Sequence, residues 1–154
     1  MKVRCFSNQL ADALLTPIHR SFFKRYFIDG PQWEAPVGSE FVVHGIYIVR
    51  GYPFYWLRVP ERSGGRHAWR WRLFPSVCFE TVDDRVSSHW RAHTRISAPR
   101  SGERYFITKL GIEAWLREPA FWENLVEGLE PEYEIMMKAG DLMDAEFAPL
   151  NCAR

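Results

Sequence analysis

Residues 37 to 59 read Val-Gly-Ser-Glu-Phe-Val-Val-His-Gly-Ile-Tyr-Ile-Val-Arg-Gly-Tyr-Pro-Phe-Tyr-Trp-Leu-Arg-Val, and this stretch constrains the fold more than any other. From Phe41 to Val49 nearly every residue is β-branched, aromatic or glycine, so both faces of an extended segment here call for burial. That predicts a central strand. Arg50-Gly51 is a turn signal, and Phe54 to Val59 supplies a returning strand whose Pro53 stands at its start, where a missing N–H does least harm. Phe41, Val43, Ile46, Ile48, Trp56 and Leu57 are the expected core. Two strands alone are marginal in water, so the rest of the chain must cover this hairpin.

The flanking segments supply candidates. Lys2 to Phe6 alternates as a short first strand, and Ser7 or Asn8 can cap a helix that Pro17 stops. Ile18, Phe22 and Tyr26, four residues apart, suit a second short helix. Beyond the hairpin, residues 61 to 66 form a Gly-rich loop. Trp69-Arg-Trp-Arg-Leu-Phe74 then alternates with period two, which turns Trp69 and Trp71 toward the core and Arg70 and Arg72 toward water. Pro75-Ser76 marks a break before a strand ending at Asp83-Asp84. Arg85 to Thr94 reads as an edge-like strand, and Arg104 to Leu110 as the last one. The period then changes. Glu118-Pro119 opens a helix that Gly128 closes, and Glu130-Pro131 opens another, with Tyr133, Met136, Met137, Gly140, Met143 and Phe147 on one face. The expectation is one α+β domain over residues 1–154. Its core, over about 1–110, is a small, strongly bent antiparallel sheet or barrel, with helices near both termini, the last over about 118–147.

Composition closes off several classes of function. Three cysteines, Cys5, Cys78 and Cys152, at wide spacing argue against a disulfide framework or zinc site and for a reducing cytosol. No run reaches the ~20 apolar residues of a membrane-spanning helix, nor does the N-terminus carry a leader-like apolar segment. Net charge is +1 but polarised: residues 50–109 hold twelve Lys or Arg against five acids, and residues 110–154 three against ten.

Catalytic and metal-binding groupings are hard to assemble. His89 and His93 form an HxxxH without the adjacent Glu or helical context of a metalloprotease, so no metal is expected. His44 falls within the apolar strand and reads as a satisfied core or edge residue. Cys78, between Val77 and Phe79, reads as a buried, inert thiol. Asp83-Asp84 reads as a strand-ending turn, and Gly64-Gly65 lacks the companions of a phosphate loop. No cofactor is expected, and a small-molecule substrate is not indicated.

The order of features resembles the Src-homology-3-like barrels of small bacterial and phage proteins over residues 1 to 84. The likeness rests on a short basic first strand, Val-Gly-x-x-Phe-Val-Val at 37 to 43, an aromatic strand, and Leu-Phe-Pro-x-x-x-Phe-Glu-x-Val-Asp at 73 to 83. With Ser87-Ser88-His89-Trp90 and Pro119 to Gly128, the whole chain resembles immunity proteins encoded beside contact-dependent or other polymorphic toxins. That resemblance implies a non-enzymatic cytoplasmic protein that binds and neutralises a cognate toxin domain, a nuclease, by occluding its active site. On that reading Glu123, Glu127, Glu130, Asp141 and Asp144 are the partner-binding residues, with carboxylates taking the place of phosphates in a basic groove. The alternative is a nucleic-acid-binding barrel that uses Arg58, Arg66, Arg70 and Arg72 beside aromatic rings.

Overall fold

Arg50 and Gly51 both adopt positive φ, 53° and 83°. This is the left-handed pair of a two-residue hairpin turn, whose twist suits the flanking strands. A computed structural model describes residues 1–8, 35–60, 67–97, 102 and 104–148. Across the turn, β3 (Gly45–Val49) pairs with β4 (Tyr52–Pro60), and β3 is the middle strand of a five-stranded antiparallel sheet ordered β5-β4-β3-β8-β7. The remaining members are β5 (Trp69–Pro75), β7 (Arg91–Ser97) and β8 (Tyr105–Gly111). A second, three-stranded sheet has β1 (Lys2–Cys5) between β2 (Glu40–Val42) and β6 (Phe79–Asp83).

The apolar run from Phe41 to Val49 is therefore two strands, not one. Val43 and His44 are the corner: the Val43 N–H donates to the Met1 carbonyl at 2.9 Å, and the His44 N–H donates to the Trp56 carbonyl at 2.9 Å. Consecutive amides thus serve different sheets. This hand-over replaces the continuous bending of a barrel, and the two sheets do not close into one. Charged edges help keep them open, since β7 presents Arg91 and Arg95 and is exposed from Arg91 to Ile96. Of the expected core, Val43, Trp56 and Leu57 are buried, whereas Phe41, Ile46 and Ile48 are half-buried.

Register decides what covers each face. Trp56 lies opposite Gly45 and Leu73, and Arg58 opposite Trp71, so these side chains share one face of the large sheet. Helices α1 (Glu113–Arg117), α2 (Phe121–Val126) and α3 (Glu132–Glu146) cover that face. Trp115 of α1 lies on the bare backbone of Gly45 and Gly111, where an added Cβ would come within 2.9 and 2.6 Å of its ring. Gly140 lets α3 approach equally closely, because a Cβ there would meet the Trp71 ring at 2.7 Å. Phe121 and Leu125 of α2, and Tyr133, Met136 and Met143 of α3, complete the layer. On the opposite face the small sheet packs through Phe79, edge-on to Tyr55 and Phe74.

Three further differences from the sequence expectation have local causes. Trp69 is 40% exposed because it begins β5, and the Arg58 guanidinium, 5.4 Å from its ring, takes the place of core cover. The expected strand from Arg85 starts only at Arg91, since Asp83 turns the chain by accepting from both the backbone N–H and the guanidinium of Arg85. Helix α1 was not anticipated; its Glu113 to Arg117 ion pair at i,i+4 is the signal that marks it. The proposed helices between Ser7 and Phe27, the loop at 61–66 and Cys152 fall outside the described residues, apart from Ser7 and Asn8.

Candidate functional site

The acidic and basic groups singled out in the sequence meet beneath α3. Arg58, on β4 and largely covered, donates to Asp141 at 2.6 Å and to Asp144 through its other terminal nitrogen. Asp144 in turn bonds the His44 Nε2 at 2.9 Å. His44 is buried, with Trp71 edge-on to its ring at 4.7 Å. Burial holds the His44 imidazole below its ordinary range although Asp144 pulls the other way. Burial acts in the opposite sense on Asp144 and raises it, but the His44 hydrogen bond and the Arg58 charge prevail and hold it below the usual carboxylate range. The cluster is a neutral histidine donating through Nε2–H to a carboxylate that Arg58 anchors.

Such a dyad orients a base in many active sites, but the geometry here points inward. The other His44 nitrogen, Nδ1, has less than 1 Å² of accessible surface and no hydrogen-bond partner among the described residues. A substrate cannot reach it. What the cluster does is clamp α3 to the sheet by bringing a cation from β4, carboxylates from α3 and an imidazole from the inter-sheet corner together. Asp141, Asp144 and Arg58 are thereby engaged with one another rather than presented to two separate partners.

The other sequence candidates are dispersed. Glu123 is exposed on α2, on the side facing Lys109. Glu127 borders a cleft of about 250 Å³ that Arg70 and Arg72 also line. Glu130 is exposed and accepts the Glu134 N–H at 3.2 Å, the helix-start role that acids perform well. Arg66 lies outside the described residues. His89 and His93 fall on a turn and on β7, respectively, and among the described residues no group of three His, Cys, Asp or Glu is arranged to hold a metal ion. Cys78 is buried, and burial beside Cys5 pushes its thiol up to about 12, which keeps it protonated.

The residues that composition hid are apolar. Val126 and Leu129 at the end of α2, and Ile135 and Leu142 on α3, are 39 to 55% exposed and interleave with Glu127, Glu130 and Glu134. Ile135 and Leu142 are two turns apart, on one outward stripe of α3. A sequence scan for the buried face of α3 passes over them because they stand off its period.

Comparison with protein-family models, with curated proteins and with solved structures finds no match to this chain. No helix among the described residues is long and apolar enough to cross a membrane.

Proposed function

We propose that this chain is a non-enzymatic inhibitor that acts in the cytoplasm and neutralises a basic toxin domain, a nuclease, by covering its active site with the outer face of α2 and α3. The observation that carries this reading is the pattern of Val126, Leu129, Ile135 and Leu142 exposed among Glu127, Glu130 and Glu134 on a clamped helical layer. Apolar anchors inside a charged rim suit a protein partner, and the acids select one of opposite charge. The same acids repel a phosphate backbone. The nucleic-acid alternative is weakened further because Arg58 is already held by two carboxylates.

The test is inhibition at equal stoichiometry. The purified chain is added to the C-terminal domain encoded by the adjacent upstream gene, and nuclease activity is followed on a plasmid and an RNA substrate. Loss of activity at one chain per toxin domain supports the proposal. Undiminished activity at a large excess of the chain contradicts it.

A further inference from the structure

β7 ends the large sheet, with β8 on one side of it and, among the described residues, no strand on the other. Which of its amides face away follows from the turn at Arg50-Gly51. Val49 and Tyr52 flank that two-residue turn, so they exchange hydrogen bonds, and bonding alternates along each strand from there. The amides of Ile46 and Ile48 then face β8, opposite Leu110 and Thr108. Those of Lys109 and Ile107 face β7, opposite His93 and Arg95. Ala92, Thr94 and Ile96 therefore direct their N–H and C=O groups outward, and no backbone group of another described element bonds them there.

The two side-chain faces of this edge differ. On the side away from the helices, Ile96 and Phe106 oppose each other across the ladder and are 60% and 66% exposed. Thr94, bonded to Thr108 at 3.0 Å, continues that face. On the helix side stand Arg91, His93 and Arg95, all exposed. Arg91 donates to the Ser88 and Trp90 carbonyls, and none of the three forms an ion pair among the described residues. Glu113 and Glu118 line the far side of the groove next to them, and Glu113 is already taken by Arg117. A second copy of β7 is a poor occupant. Laid antiparallel about Thr94, it would gather two copies of Arg91 and Arg95 on one face, where like charges repel.

We propose that β7 is a docking edge for an antiparallel strand added by a protein partner, an extended segment in which acids alternate with β-branched or aromatic residues. Its main chain pairs with Ala92, Thr94 and Ile96, its acids lie against Arg91 and Arg95, and its apolar side chains cover Ile96 and Phe106. The basic face alone would accept any anion, and the apolar pair alone any apolar surface. The open ladder between them is what requires an extended chain. The surface is separate from the outer face of α2 and α3, and its use does not depend on the inhibitor reading.

The experiment is fluorescence anisotropy of a labelled peptide of alternating valine and glutamate, as long as β7, titrated with the full chain. Saturable binding is expected, and a valine–lysine peptide should bind at least about tenfold more weakly. In an antiparallel addition the valines oppose Ala92, Thr94 and Ile96, so N-methylation of the valine amides should abolish binding, whereas N-methylation of the glutamate amides should be tolerated. Arg95→Glu should weaken binding by about tenfold or more, as should Thr94→Pro, which removes an outward N–H while sparing the ladder to β8. Circular dichroism checks that each variant is folded. No saturation up to about 1 mM chain would overturn the proposal, as would equal binding of the valine-methylated or the lysine peptide. Sedimentation showing a dimer of the parent chain that Thr94→Pro dissociates would also overturn it, by assigning the edge to a second copy.

Discussion

Gly111 illustrates how a single residue here is fixed by what lies above it. Together with Gly45 it leaves a flat patch of sheet on which Trp115 rests, and a Cβ on Gly111 would stand 2.6 and 2.8 Å from two atoms of that ring. Gly111→Ala must therefore displace the indole and the start of α1. We expect a loss of roughly 1 to 3 kcal/mol in chemical denaturation, as for other overpacked sites, together with a changed tryptophan emission spectrum. An unaltered denaturation midpoint would mean that Trp115 is not seated as described. Trp56, which borders the same patch and is buried, should cost more on truncation: Trp56→Ala is expected to lose about 3 to 5 kcal/mol.

Among the elements, α3 depends most on electrostatics, through Arg58, Asp144 and His44. Removing Arg58 leaves a partly covered Asp144 without its cation, so Arg58→Ala should destabilise by roughly 2 to 3 kcal/mol. The pH dependence follows from the two lowered pKa values. The folded-state value of His44 lies below the 6.5 of an ordinary imidazole and that of Asp144 below the 3.8 of an ordinary aspartate. In both cases the unfolded chain takes up protons first, so the stability these groups contribute is complete above the unfolded value and is lost as pH falls. His44 should thus lower the melting temperature progressively below pH 6.5, and Asp144 should add a second decline below pH 3.8. In His44→Asn the first decline should vanish and the second remain. A melting temperature that rises between pH 7 and 5 in the parent chain would contradict the buried neutral imidazole.

What could be read from the sequence at this scale was periodicity. The turn at Arg50-Gly51, the strand from Tyr105, the helix closed by Gly128 and the buried face of α3 all follow from local patterns. The hand-over at Val43-His44 did not, because it depends on which amide finds Met1 and which finds Trp56. Nor did the clamp. Arg58 and Asp144 are 86 positions apart, and charge counting assigned them to opposing hypotheses when the fold makes them partners.

At the scale of the whole molecule, the polarised charge of the sequence is partly neutralised inside the fold. The basic middle and acidic end meet at Arg58, and again around the cleft shared by Arg70, Arg72 and Glu127. What remains outward is a helical face mixing acids with exposed apolar side chains.

The outer face of α2 and α3 is the proposed interface. The measurement is association of the proposed toxin partner, the C-terminal domain encoded by the adjacent upstream gene, with three forms of the chain at low and moderate salt. These are the parent, Glu127→Lys/Glu130→Lys/Leu142→Asp, and Arg70→Glu/Arg72→Glu. The first variant should bind at least about a hundredfold more weakly and associate more slowly, with the rate difference shrinking as salt screens the charges. The second variant should bind as the parent does. Parent-like affinity in the helix variant, with binding abolished in the arginine variant, would contradict the account and move the interface to β5.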